Sequence, residues 1–307
     1  MKIAFSAALN PVVHELARCF PSGEIYGHDN RSNSLFDNPW RANFDFTVSP
    51  SVSSSMQYVD WIEKYLNDKD LYFPMLDEEL ILCIDRADCY DLFSSKGYCF
   101  PRSLLSLALD KKILTDLVHG PVKSPGNGMY VIKPRFGRGS ANVFITGNKS
   151  IVESALDDQE LVVQSKFSGP EYTIDCFILP AHDIELVWPR VRLSASSVST
   201  VGRVDVNTPL IYQVKQLIRN LKLEGYFNLQ GFWESGFFKL IEINPRLAGS
   251  SVFSDYVGCE YLRSISGFFS GDLDSSLIMR NYEMQLAQLD SGNICERYYQ
   301  TFCRSSR

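Results

Sequence analysis

The segment Lys239-Leu-Ile-Glu-Ile-Asn-Pro-Arg246 most constrains what this chain can become. Read as a strand it alternates, with Leu240, Glu242 and Asn244 on one face and Ile241 and Ile243 on the other. A carboxylate and a carboxamide two residues apart, among apolar neighbours, form a pair of hard oxygen ligands. Mg²⁺ (or Mn²⁺) takes such ligands, one or two from protein, with substrate phosphates completing the shell. Arg246 adds a fixed cation suited to phosphate or carboxylate. An edge strand ending in a solvated Asn-Pro turn would read the same way, so the rest of the chain has to decide.

The preceding run, Tyr226–Trp233, is also strand-like and is joined to Phe237–Asn244 by Glu234-Ser-Gly236. A three-residue loop with glycine last is a common hairpin connection. With that loop Trp233 pairs with Phe237, Asn228 lies opposite Glu242, and Gln230 sits diagonally from Glu242. Asn228, Gln230, Glu242 and Asn244 then share one face with Phe232, Phe238 and Leu240. A two-residue loop would send Gln230 and Glu242 to opposite faces and dissolve the cluster.

A second constellation is Val131-Ile-Lys-Pro-Arg-Phe-Gly-Arg-Gly-Ser140. A strand delivers Lys133, and the loop after it carries glycines that let backbone N–H groups approach phosphate oxygens. It matches neither the P-loop nor the kinase glycine loop, and an exposed basic hairpin would share its composition. A third is Gln164-Ser-Lys-Phe-Ser-Gly-Pro-Glu-Tyr-Thr-Ile-Asp175, in which two strands flank a Gly-Pro turn. Glu171 there could accept hydrogen bonds from ribose hydroxyls, or be a surface acid beside a turn.

The rest is ordinary. The chain has 307 residues, enough for two or three packed units, with 45% hydrophobic and 21% charged residues. Its net charge of −6 argues against a general nucleic-acid binder. Eight cysteines without a C-x-x-C pair, and four scattered histidines, give no zinc pattern. No apolar run reaches the length of a membrane span and no cleavable signal opens the chain, so the expectation is a cytoplasmic protein with no membrane partner. A homodimer is one arrangement the sequence leaves open.

Residues 2–9, 11–20 and 24–29 read as strand, helix and strand, a βαβ opening that implies a parallel sheet. It has no G-x-G-x-x-G fingerprint. Residues 56–66 read as a helix, 79–84 as a buried strand, and 103–118 as one helix stopped by Gly120-Pro121. Strands are expected at 129–133, 161–164 and 171–178, and a helix over 210–221 with Gly225 at its C-cap. The last 35 or so residues give no clear signal.

Taken in order, Leu109-Asp-Lys111, the Val131–Ser140 segment, the Val163–Asp175 segment, and Leu229-Gln230 with Ile241–Arg246 resemble the ATP-grasp superfamily, in its carbamoyl-phosphate-synthetase-like and biotin-carboxylase-like branch. The resemblance covers roughly residues 1–270. It implies an α/β protein: a Rossmann-like, pre-ATP-grasp parallel-sheet domain over 1–100, an ATP-grasp α+β domain of mostly antiparallel sheet over 101–275 with a lid at about 122–168, and a segment 276–307 of unknown packing. It implies ATP and Mg²⁺ (or Mn²⁺) as cofactors, small-molecule carboxylate and amine substrates, and amide formation through an acyl phosphate.

Carried to matching positions, it puts Lys111, Lys133 and Arg135 at ATP phosphates, with Gly137, Gly139 and Ser140 in a phosphate loop. Gln164, Lys166 and Phe167 would meet adenine and Glu171 the ribose. Gln230, Glu242 and Asn244 would hold the metal, while Arg246 and Lys133 would face the transferred phosphoryl group. Two departures stand out: Ser165 follows Gln164 where relatives often carry Glu, and Gln230 replaces an acid. With one carboxylate, the metal is expected to arrive with ATP. Trp188–Arg192 and the loop 194–204 are expected to border the acceptor or carboxylate site, with Arg190 and Arg192 as candidates for gripping a substrate carboxylate, or as strand-edge arginines in water. A phosphotransferase, or a non-catalytic ATP-binding protein on the same fold, are the rival readings.

Overall fold

The computed structural model describes residues 1–30, 45–137, 142–193 and 201–289, together with the backbone of two strands at 294–298 and 301–304. The first sheet is parallel, in the order β3-β2-β1-β4, from β1 (Lys2–Phe5), β2 (Glu24–Asp29), β3 (Asp45–Val48) and β4 (Leu71–Phe73). Helices α1 (Pro11–Arg18) and α2 (Ser55–Leu66) pack with it, and α3 (Asp77–Asp85) and α4 (Ala87–Ser95) follow. Ile3, Ala4 and Phe5 are fully buried, as expected of a central strand covered on both sides. Asn10 starts α1 by accepting from the Val12 N–H, with Pro11 in the first helical position.

The strand expected over 79–84 is helix α3. A five-residue apolar run carries no period that separates a buried strand from a buried helix turn. The deciding signal was Asp77-Glu78-Glu79, an acidic first turn that suits the positive end of a helix. The helix expected over 103–118 is two, α5 (Arg102–Leu109) and α6 (Lys111–His119). Asp110 leaves helical geometry and accepts from the Lys112 and Ile113 N–H groups, ending one helix and capping the next.

The second sheet is small and antiparallel, in the order β6-β5-β7, from β5 (Tyr130–Pro134), β6 (Phe144–Thr146) and β7 (Leu161–Ser165). With α7 (Lys149–Asp157) it encloses its own apolar cluster of Tyr130, Ile132, Val152, Ala155 and Val163. The third sheet has seven strands in the order β12-β11-β8-β9-β10-β13-β14. These are β8 (Glu171–Leu179), β9 (Ile184–Arg192), β10 (Val201–Val204), β11 (Gly225–Glu234), β12 (Phe237–Asn244), β13 (Ile294–Tyr298) and β14 (Thr301–Arg304). Helices α8 (Thr208–Leu221), α9 (Val252–Tyr256), α10 (Tyr261–Ser270) and α11 (Ser275–Gln288) complete the described chain. The last segment, silent in sequence, thus contributes α11 and two further strands. Helix α8 ends at a left-handed Lys222, not at Gly225, which instead presses on the Cys99–Phe100 backbone.

The β11–β12 hairpin differs from expectation in an instructive way. Its turn is two residues, Ser235-Gly236, with φ of +53° and +81°. Both values are positive, the pattern of a type I′ turn. Glu234 therefore pairs with Phe237, and Phe232 with Lys239. On a regular ladder that register would oppose Gln230 to Ile241 and turn Glu242 away. The register instead shifts between Gln230 and Gly231. Ile241 is the extra residue of a β-bulge, and beyond it Gln230 pairs with Glu242 and Asn228 with Asn244. The bulge restores the parity that the short turn removes, and Leu240 moves to the buried face with Leu229 and Ile243.

Gly231 makes this possible, because a Cβ there would sit 2.4 Å from the Lys239 carbonyl oxygen. Gly236 needs only its positive φ and has open space around it. Gly231→Ala is expected to cost about 2–3 kcal/mol, and Gly236→Ala about 1 kcal/mol. Urea unfolding midpoints compare the two, and a loss at position 231 no larger than at 236 would remove the close-approach argument.

Candidate active site

One cleft of about 1270 Å³ collects most of the polar residues singled out in the sequence. The loops after β1, β2 and β4 form part of it, the three-stranded sheet another part, and the β8, β11 and β12 strands the rest. Drug-sized ligands fill about 300–1,000 Å³, so the cleft has room for a nucleotide and a second molecule.

Gln230, Glu242 and Asn244 reach the cleft on one face of the bulged hairpin. Asn244 is oriented by its neighbour. Its Nδ2 donates to Asn228 Oδ1 at 3.0 Å, and Asn228 Nδ2 donates to the Arg246 carbonyl at 3.0 Å. Spending the amide nitrogen on Asn228 leaves Asn244 Oδ1 as the acceptor end. The row then offers carboxylate and carboxamide oxygens, the donor set of Mg²⁺ or Mn²⁺ rather than of zinc.

Two lysines face that row. Lys111, at the start of α6, donates from Nζ to the Gly137 carbonyl at 2.6 Å and lies 3.4 Å from Glu242 Oε1. Lys133, on β5, is buried, and its Nζ donates to the Ile241 carbonyl at 3.3 Å. The bulge therefore supplies this lysine's acceptor as well as the register. Burial pulls the Lys133 ammonium down to about 8; Glu242 opposes that effect and Lys111 adds to it.

The cleft also takes in Gln164, Lys166, Phe167 and Glu171. Gln164 is 3% exposed, and its Nε2 is a buried donor with no partner among the described residues. A buried unpaired donor is costly unless a ligand answers it. Phe167 stacks near His119, at 4.8 Å between ring centroids, and His119 Nε2 lies 2.6 Å from the Leu240 carbonyl. The loop between β7 and β8 is pinned by Ser168, whose N–H and Oγ both donate to Glu234 Oε1. Glu171 is paired with Arg192, and both line the cleft; burial raises the Glu171 carboxyl and Arg192 opposes that rise.

Two residues expected to meet ligands are held elsewhere. Arg135 does not line the cleft: its Nε donates to Asp110 Oδ2 at 2.8 Å and its Nη2 lies 2.6 Å from the same oxygen. It ties the phosphate-side loop to the cap of α6. Arg190, expected at a substrate carboxylate, is 1% exposed and forked onto Asp175 at 2.7 and 2.9 Å. Its Nη1 donates to Ser250 Oγ, while Ser251 and Ser254 also donate to Asp175. That network shapes the 250–254 turn, of which Ser250 reaches the cleft. Gly137 lines the cleft, whereas Gly139, Ser140 and residues 194–200 lie outside the described residues.

Arg246 lines the cleft, with its guanidinium forked onto Asp77 at 2.6 and 3.0 Å. Asp77 and the cap Asp110 were missed in the sequence. A run of acids just beyond a parallel strand, where ligands of such sheets bind, was the available signal for Asp77.

Residues 157–288 match the model of a family described as "ATP-grasp in the biosynthetic pathway with Ter operon". A search of curated proteins found no match. Among solved structures, an L-amino acid ligase from Bacillus licheniformis superposes with a TM-score of 0.65 at 13% identity, over 96% of this chain and 78% of that one. A putative ATP-grasp superfamily protein from Archaeoglobus fulgidus gives 0.56 at 17%, over 88% of each chain. An N5-carboxyaminoimidazole synthetase from Staphylococcus aureus, complexed with ADP, gives 0.59 at 13%, over 85% of this chain and 75% of that one. At these identities the likeness concerns the fold. Among the described residues no helix is long and apolar enough to cross a membrane.

The depressed Lys133 makes a pH prediction. With a pKa of about 8 it is mostly neutral at pH 9, and an adjacent polyphosphate restores its charge. MgADP binding at pH 9 is expected to take up about 0.9 proton, and close to none at pH 6, where Lys133 is already charged. Calorimetry in buffers of different ionisation enthalpy measures the uptake, and Lys133→Met should abolish it. Persistent uptake in the variant would assign the proton elsewhere.

Proposed function

From the match of residues 157–288 to an ATP-grasp family model and the likeness of the fold to ATP-grasp structures, we propose that this chain is an ATP-dependent carboxylate–amine ligase working through an acyl phosphate. The observation that carries the reading is the convergence on one cleft of Lys111, Lys133, the Gln230–Glu242–Asn244 row and Arg246. We assign residues 1–100 to a Rossmann-like, pre-ATP-grasp domain, 101–275 to the ATP-grasp domain, and about 122–168 to its lid.

A carboxylate is a poor acyl donor because oxide is a poor leaving group. In the proposed reaction a carboxylate oxygen attacks the γ-phosphorus of ATP and ADP leaves. An amine nitrogen then attacks the acyl carbon, inorganic phosphate leaves, and the amine gives up a proton. Such chemistry needs positioning and charge neutralisation rather than a side-chain nucleophile. Lys133 and Lys111 neutralise phosphate oxygens, and Lys133 is desolvated enough for its charge to act at full strength. Gln230, Glu242 and Asn244 would hold Mg²⁺, which would supply charge neutralisation at the phosphates. Arg246 stabilises charge on the transferred phosphoryl group. Gln164 answers adenine with its unpaired donor, and Phe167 and Phe232 give the base apolar surfaces.

The volume of the cleft supports a ligase, since nucleotide alone leaves space for acyl and amine partners. The L-amino acid ligase among the structural neighbours, and the biosynthetic setting in the family description, are in keeping with an amino-acid-like substrate.

Incubation with ATP, Mg²⁺, hydroxylamine and pools of amino acids and small carboxylates tests this. Hydroxylamine attacks an acyl phosphate to give a coloured hydroxamate, expected in step with ADP. Glu242→Ala should lower the yield about 100-fold. ADP released without hydroxamate, above futile hydrolysis, would move the assignment to phosphotransfer.

A further inference from the structure

We propose that Asp77 is the positioning residue for Arg246, and that helix α3 is the strut through which the parallel-sheet side of the cleft sets that arginine. The inference rests on the reading of the cleft as a phosphoryl-transfer site.

Arg246 has five N–H donors. Its Nε and one Nη2 hydrogen go to Asp77, at 2.6 and 3.0 Å, and one Nη1 hydrogen goes to the Leu247 carbonyl at 3.2 Å. Two donors are left, one on each Nη, on a plane already fixed in space. The backbone is held too. Asn228 donates to the Arg246 carbonyl, and Tyr98 donates to the Pro245 carbonyl at 3.0 Å. An arginine free in a cleft has rotamer entropy to lose on binding an anion. Here the fork to Asp77 has removed that freedom in advance.

Asp77 is itself well placed. It is the first residue of α3, and the next two acids point elsewhere: Glu78 lines the cleft and Glu79 is fully buried. Glu79 accepts from Ser6 Oγ at 2.5 Å, Tyr72 OH at 2.8 Å and Tyr58 OH. Ser6 Oγ in turn accepts from the Met75 N–H at 2.7 Å. The carboxylate inside the parallel-sheet unit thus locks the N-terminus of α3 to the ends of β1 and β4. The carboxylate two residues earlier reaches across to β12. A change in the β1 or β4 loops on substrate binding would be carried to Arg246 by one rigid turn of helix.

A structural ion pair would look similar at rest, so the test must separate fold from function. Asp77 and Arg246 side chains are 14% and 16% exposed, so the arginine left by Asp77→Asn can still be hydrated and the variant should fold. The probes are MgADP and MgADP with aluminium fluoride, a mimic of the transferred phosphoryl group, read by calorimetry on the full chain. Asp77→Asn should leave MgADP affinity within about twofold and weaken the fluoride complex about tenfold or more, the range for loss of an orienting partner. Asp77→Glu should recover part of it. Arg246→Ala should lose at least as much, and adding Asp77→Asn to it should cost nothing further, since one acts through the other. An unchanged fluoride complex, equal losses with both probes, or additive losses in the double variant would overturn the proposal while leaving the ligase reading in place. A parent protein that binds no MgADP would overturn the ligase reading, and this inference with it.

Discussion

One displaced residue in a β-ladder holds the site together. Without the bulge at Ile241, the two-residue turn would point Glu242 and Asn244 into the core and Ile243 into the cleft. The cost would be counted twice, in a buried carboxylate and in an exposed apolar face. With it, the polar row and the Leu229–Leu240–Ile243 row fall on opposite faces of the hairpin. The same extra residue presents its carbonyl to Lys133 on a different sheet. Register, metal-ligand row and lysine placement therefore depend on one irregularity, which depends in turn on a glycine where the backbones close to 2.4 Å of a notional Cβ.

Around that row, most cations are held by carboxylates on rigid elements. Arg135 is tied to Asp110, Arg190 to Asp175, Arg192 to Glu171 and Arg246 to Asp77. Arg190 and Arg246 are forked onto both oxygens of their carboxylates, a geometry that fixes the guanidinium plane and that lysine could not supply. The lysines are treated differently. Lys111 leans on Glu242 and a carbonyl, and Lys133 on the Ile241 carbonyl. Their charges are therefore less compensated than those of the arginines, and burial shows in the depressed Lys133.

The parts of the fold that could be read from sequence were those in which periodicity and end signals agreed. The β1–α1–β2 opening combined a buried apolar strand with Asn10-Pro11 at a helix start. The five apolar residues after Glu79 had no such agreement, and the acids before them were the better guide. Asp110 was legible as a polar residue but not as a helix boundary, because its cap needs the backbone to leave the helix. For the hairpin, the expected parity of Gln230, Glu242 and Asn244 was right although the turn was not: a shorter loop and a bulge cancel. Arg190 and Arg192 lie two apart on one strand, so no pattern within β9 could separate them. The neighbouring strand did, by bringing Asp175 beside Arg190 and Glu171 beside Arg192.

That contrast points to a general property of this cleft. A residue's reach into it is set less by its own strand than by which carboxylate the next strand or helix brings alongside. Asp175 draws Arg190 into the core, where three serine hydroxyls complete its surroundings and the arginine becomes part of the scaffold. Asp77 takes Nε and one Nη2 hydrogen of Arg246, the Leu247 carbonyl takes one from Nη1, and two N–H donors of this cleft-lining residue remain among the described residues. The difference is burial of the acid. A carboxylate with no exposure, accepting from four donors, can only be an anchor, whereas one at the rim can hold an arginine by one edge and leave the other edge for a ligand.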